Sequence, residues 1–311
     1  MILKKLIRAL RNKTPKKGRL FPRPPLIATR FLGMFFVATF VVSCSGTTVV
    51  RDVGQLNLGY KLPEQQPKTQ YVIAIVAPEF TGKEQQTQQT QQPIVLDPIT
   101  AMIMARMGHQ PKFNFFTVFS STYKPDLVNA MKDSLEELIS RKGFVTKGPY
   151  ATFDDITYMD KKAIYLASVP KLTLDIVRKG TNTDCSPRIY CTEKGQIQIT
   201  GGLTYKLVEP LTGQTFLNRR INLSDFNISK PYIRQYQTKG AGDTLGKIMD
   251  KASAPDKLVD DTDKVLVEAI NEFFAKAMAK LNQFISREEI ISFTPDVNKL
   301  KDEAIIIGGG Q

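Results

Sequence analysis

The chain has 311 residues, 42% of them hydrophobic and 23% charged, which excludes a disordered polymer and leaves room for one large domain or two small ones. Its formal charge of +13 suggests a nucleic-acid partner until its distribution is read. Ten of those charges are Lys and Arg within residues 1–43, a stretch without Asp or Glu, so the remaining 33 basic and 30 acidic residues make a nearly neutral body, and the expectation is no nucleic-acid partner.

The basic leader runs into Phe31 to Ser43, thirteen mostly apolar residues. This is the layout of a secretory signal, and the run is short of the roughly 20 apolar residues that a spanning helix needs. It ends in Val41-Val42-Ser43-Cys44, with an aliphatic residue three before a cysteine and a small one directly before it. That arrangement resembles the lipobox of bacterial lipoproteins, in which the chain is cut before Cys and the thiol carries diacylglycerol. Residues 1–43 are therefore read as a signal peptide and Cys44 as the lipidation site; an uncleaved anchor and a coincidental match are the competing readings.

Residues 44–70 read as a lipidated N-terminus and polar tether, with a first strand in the alternating stretch Leu56 to Leu62. Tyr71 to Ala77 is a continuous apolar run that predicts a central buried strand. The Gln-rich segment 83–93 reads as a solvated loop. Ile99 to Met107 predicts a short helix whose Met102, Met104 and Met107 fill core or receive a protein partner. Phe113 to Phe119 has the aromatic content of a strand. From Asp126, the positions Leu127, Met131, Leu135, Leu138 and Ile139 predict an amphipathic helix that Gly143 ends. Ala163 to Ala167 predicts a short strand.

Alternation then predicts a β-meander through Leu172, Leu174 and Ile176, then Ile197 and Ile199, then Leu203, Tyr205 and Leu207, then Phe216 to Leu223. Pro210 to Gly213 supplies a tight turn. The first connection carries Cys185 and Cys191. In an exported chain these predict a disulfide, with two free thiols as the alternative. The sole histidine, His109, is far away in sequence, which argues against a metal site. Residues 237–257 read as an irregular excursion. Asp261 to Ile285 predicts the longest helix, with Leu266, Ile270, Phe273, Phe274, Ala277, Leu281 and Phe284 on one face. Residues 301–311 read as a flexible tail. The whole predicts a single α+β domain over residues 71–300, a mostly antiparallel sheet with helices packed on one face.

No arrangement nominates an active site. His109 follows a helix in a loop, Gly201-Gly202 is too short to cradle phosphate, and Asp154-Asp155 and Asp260-Asp261 are consecutive, so their side chains diverge in a strand. The reading is a non-enzyme without cofactor or metal.

The stretches LNLGYKLP (56–63), IAIVAPEF (73–80), LVEPLTGQTF (207–216), INLSDFNI (221–228) and EAINEFFAKAMAKLNQ (268–283), with NKLK (298–301), resemble the neuraminyllactose-binding haemagglutinin family. These are outer-membrane and flagellar-sheath lipoproteins of Gram-negative bacteria, and this chain looks like a paralogue of the founding adhesin. The resemblance implies an outer-membrane location, anchored to lipid through Cys44, and a structural or interaction role. It also offers sialylated glycan as a ligand, through a short basic motif that is reduced here to Arg178-Lys179 and interrupted by Gly180. A third reading is an accessory lipoprotein that contacts an envelope enzyme or motor component.

Overall fold

The computed structural model describes residues 48–86, 113–185, 190–237 and 257–308. Cys44, residues 87–93 of the Gln-rich segment, the 99–107 methionine stretch, His109, and the 237–257 excursion apart from its end residues Gln237 and Lys257 lie outside them.

A long hairpin organises the molecule. Strand β6 (Leu166–Cys185) pairs antiparallel with β7 (Tyr190–Val208), from Ala167 opposite Val208 to Cys185 opposite Cys191. Each side of this hairpin is lined by an interrupted strand. Along β6 run β2 (Val72–Val76), β3 (Glu79–Thr81) and β4 (Glu84–Gln86), all parallel to it. Along β7 run β8 (Thr215–Asn222) and β9 (Ser229–Gln237), both antiparallel. β5 (Val145–Tyr150) extends the sheet beyond β2 in parallel, and β10 (Lys257–Asp260) and β1 (Thr48–Arg51) extend it beyond β9. The sheet is mixed: the long central ladders are antiparallel and the short flanking ones mostly parallel.

The alternation in β6 and β7 turns Leu172, Leu174, Ile176, Ile197, Ile199, Leu203, Tyr205 and Leu207 to one face, where all are fully buried. Helices cover that face. Helix α1 (Phe115–Val118) leads through a π-helical turn, Phe119–Tyr123, into α2 (Lys124–Arg141). Leu127, Met131, Leu135, Leu138 and Ile139 of α2 are all buried, and Gly143 ends the helix at φ 88°. Helix α4 (Thr262–Phe284) buries Leu266, Ile270, Phe273, Phe274, Ala277 and Leu281 beside it. On the opposite face a smaller cluster, Ala74, Val76, Ile156, Ile164 and Ala167, packs with Phe153 near the short helix α3 (Tyr158–Ala163). The domain is thus α+β, with its large helices on one face and this one short helix following the second cluster.

Several local expectations are corrected. Leu56 to Leu62 forms no strand. It runs extended beside the helices, where Asn57 N–H donates to Asn271 Oδ1 (2.8 Å), Asn271 Nδ2 donates to the Gln55 carbonyl and Tyr60 OH donates to the Ser134 carbonyl. The alternation is real, with Leu56, Leu58 and Tyr60 packed against the core, but its partner is helical. Within Phe113 to Phe119 the chain is helical from Phe115 onward and forms no strand. Asn114 caps it by accepting from Thr117 N–H (2.7 Å), and Phe115 and Phe119 fill the core, so capping and packing override strand propensity. Ala163 ends α3, and β6 begins only at Leu166.

The two predicted strands around Gly201-Gly202 are one. Gly201 holds φ 116°, and a Cβ there would sit 2.2 Å from the Thr173 carbonyl oxygen, so only glycine lets the ladder continue. The expected turn at Pro210 to Gly213 is present, and its buried Glu209 carboxylate accepts from the Leu211 and Thr212 N–H groups (3.1 and 2.7 Å).

Past α4, the sequence Ser286-x-x-Glu289 starts α5 (Arg287–Ser292), with Ser286 Oγ accepting from Glu289 N–H. The expected tail is largely helical, because α6 (Thr294–Gly308) carries Lys301 into contact with the carbonyls that end α3, those of Lys162 (3.1 Å) and Ile164. An ammonium at a helix C-terminus satisfies carbonyls that have no intrahelical partner.

Candidate functional site

Cys185 and Cys191 face each other across the end of the hairpin and form a disulfide, as their spacing predicts. The bridge closes a loop of few residues, and loop-closure entropy assigns it about 2 kcal/mol. Its role is to hold the tip of an already zippered hairpin.

Arg178 stands in phase with Leu172, Leu174 and Ile176, and the period of two therefore turns it to the core face. It is 5% exposed. Its guanidinium meets the Glu193 carboxylate on β7, donates to Tyr232 OH on β9 (3.1 Å) and to the Phe113 carbonyl (3.0 Å), and lies 3.7 Å from Glu84 Oε1 on β4. Tyr232 OH in turn donates to Glu193 (2.7 Å). Aromatic rings close the cluster: Phe115 packs edge-on to Tyr232 with centroids 5.0 Å apart, and the Arg178 guanidinium carbon is 5.7 Å from the Phe115 centroid. A second cation, Arg234, is 3.9 Å from Glu193 and lies over Phe113 and Tyr236 at 4.8 and 4.9 Å.

The electrostatics follow from this geometry. Burial opposes the Arg178 charge, but the Tyr232 hydrogen bond and the Glu193 and Glu84 carboxylates outweigh it and raise the pKa. Burial pushes the Glu84 carboxyl up, against the lowering pull of the Phe116 N–H and Arg178. It also pushes the Tyr232 phenol up, and the hydrogen bond to Glu193 adds to the shift. The group is a buried ionic cluster in which Arg178 answers Glu193 closely and Glu84 at longer range, Glu84 Oε1 having no hydrogen-bond partner among the described residues.

The basic pair expected to greet a glycan carboxylate is therefore split. Arg178 is spent on internal partners, while Lys179 points to the opposite face and is exposed. Glu193, Tyr232, Glu84 and Arg234 were not nominated from sequence. The available signal was the phase of Arg178 with three buried aliphatics, which requires an anionic partner from some other strand. Sequence distance hid which one.

The remaining carboxylate candidates serve local structure. Asp155 accepts from Thr152 N–H in a capping box, Asp260 accepts from Thr262 N–H, and Asp261 accepts from Ile233 N–H. A cleft of about 330 Å³ lies between the chain after β1 and the start of α4, lined by Asp52, Gly54, Gln55, Lys264, Val267 and Glu268, with Lys264 3.5 Å from Asp52. Among the described residues no three His, Cys, Asp or Glu side chains group to hold a metal ion, and no helix is long and apolar enough to cross a membrane.

No family model matches the chain. Neuraminyllactose-binding hemagglutinins of Helicobacter pylori strains J99 and 26695 are 19% identical to it over 203 and 201 residues, 62% of this chain and 75% of each relative. The sequence is similar to theirs. Among solved structures, a neuraminyllactose-binding hemagglutinin homolog from Helicobacter pylori is 13% identical, with a TM-score of 0.47 over 76% of this chain and 98% of that one. Lipoprotein GNA1162 from Neisseria meningitidis is 11% identical, with a TM-score of 0.18 over 59% of this chain and 94% of that one. The sequence comparison thus names the family that residues 56–63, 73–80, 207–216, 221–228, 268–283 and 298–301 resemble.

Proposed function

We propose that the chain is a lipid-anchored protein of the outer membrane or flagellar sheath that works by contact and not by turnover. The observation that carries the reading is where buried charge goes. Arg178, Glu193 and Tyr232 bond to one another where almost no surface is exposed, so these groups are committed to internal partners and are not offered to a ligand. The basic leader, the apolar run and Val41-Val42-Ser43-Cys44 support the anchor. The experiment is membrane fractionation of cells producing the Cys44→Ala chain, with mass spectrometry of the wild-type N-terminal peptide. The variant leaves the outer-membrane fraction and the wild-type peptide carries diacylglycerol. Retention of the variant there refutes the anchor.

A second reading, binding of a sialylated glycan, is favoured by the name of the Helicobacter pylori relatives and by the exposed Lys179. Lys179 alone offers one point charge where a carboxylate is best held by a bidentate partner. Calorimetric titration of the mature protein with sialyllactose tests it, and absence of saturable heat at millimolar sugar removes it.

A further inference from the structure

β1 begins at Thr48, four residues after Cys44. An extended residue spans at most about 3.5 Å, so Thr48 lies within about 14 Å of the cysteine. The sheet register then says which end of the domain this is. Thr48 pairs with Lys257, Asp260 pairs with Arg234, and continuing that antiparallel register brings Lys257 level with Gln237. Gln237 pairs with Tyr190, next to Cys191. The start of β1 and the disulfide-bridged tip of the hairpin therefore stand at the same end of the sheet, three strand spacings or about 14 Å apart.

The surface there has a distinct composition. Val50 and Val259 are register partners on β1 and β10, and both point away from the face that buries Leu258 and Tyr232. Ile233 on β9 stands beside them, its carbonyl accepting from Asp261 N–H. The three are 44%, 46% and 39% exposed, on adjacent strands. Lys257 and Lys194, the register partner of Ile233, are exposed at the margin. An apolar strip with lysines beside it suits a bilayer interface, where aliphatic groups enter the headgroup boundary and ammonium groups meet lipid phosphates.

We propose that this corner, Val50, Val259 and Ile233 flanked by Lys257 and Lys194, rests on the leaflet that holds the Cys44 lipid, with the bridged hairpin tip beside it. The inference rests on the anchor proposed above and adds an orientation to it. Lys179, paired with Gln196 on the same face of the sheet, is turned toward the cell's own lipid, and the end formed by α3 and the 210–213 turn is presented outward.

The test uses the full lipidated protein in vesicles of phosphatidylethanolamine and phosphatidylglycerol that carry spin-labelled lipid. An environment-sensitive fluorophore is placed at Val50→Cys, Val259→Cys or, as a control at the far end, Met159→Cys, without reductant so that Cys185–Cys191 stays closed. Quenching several-fold stronger at 50 and 259 than at 159 is expected. Equal or absent quenching at 50 and 259 in vesicle-bound protein overturns the orientation while leaving the anchor intact. Crosslinked dimers that shield those labels without quenching also overturn it, since the occupant is then a second copy. A chain that mass spectrometry shows without lipid at Cys44, and that does not float with vesicles, defeats the anchor reading, and the orientation falls with it.

Discussion

Replacing Arg178 with alanine exposes the argument about the buried cluster to measurement. The substitution removes a guanidinium that meets Glu193, Glu84, Tyr232 and the Phe113 carbonyl, and it leaves two carboxylates almost wholly buried. Arg234, 3.9 Å from Glu193, compensates only in part. Breaking a buried pair by removing one partner costs about 3–5 kcal/mol, because the surviving charge is left unanswered. For a domain of this size that lowers the melting temperature by on the order of 10 °C. Urea denaturation and thermal melting of the oxidised protein measure it, with Arg178→Met/Glu193→Gln as a comparator that removes both charges and recovers part of the loss. The deficit also depends on pH. Burial already raises the Glu84 pKa and Arg178 pulls it down, so without Arg178 the Glu84 penalty grows as pH rises and shrinks as pH falls and the carboxyl protonates. A loss under about 1 kcal/mol, the value of an exposed ion pair, refutes the reasoning and returns Arg178 to the surface as a candidate ligand group.

Three further outcomes follow from the fold. The hydrogen bonds from Lys230 and Lys276 lower the Glu272 pKa, so its contribution is complete above the ordinary 4.5 and is lost as pH falls through the depressed value; Glu272→Gln flattens that part of an acid-unfolding curve. Gly201→Ala destabilises by about 1–3 kcal/mol in urea, since φ 116° and the Thr173 carbonyl both oppose a Cβ, whereas Gly213→Ala meets no neighbour within 4 Å and loses less. Cys185→Ser/Cys191→Ser lowers the stability of the oxidised protein by about 2 kcal/mol and leaves its far-ultraviolet circular dichroism unchanged, because the ladder beneath the bridge persists.

Elements whose stability is set by their own periodic face were legible from residues alone. The heptad-like spacing in α2 and α4, the alternation in β6 and β7, the turn at Pro210 to Gly213 and the cysteine pair all emerged in place. Failures cluster where a short segment takes its conformation from a distant partner. Leu56 to Leu62 alternates as a strand does, yet its neighbours are Asn271 and Ser134. Phe113 to Phe119 has strand composition, yet the rings lock into a core built by β6, β7 and β9. Lys301 looks like tail until it meets the end of α3.

The site divides along the same line. Local sequence was enough for the hairpin disulfide, because it depends on residues a few positions apart. The inward turn of Arg178 was latent in its phase with Leu172, Leu174 and Ile176. Its partners Glu193, Tyr232 and Glu84 were settled by strand pairing across up to 94 positions in sequence, from Glu84 to Arg178. Register alone brought the start of β1 beside the hairpin tip. Periodicity reports which way a side chain faces; only the long-range ladder, formed by hydrogen bonds that carry no residue code, decides what it faces.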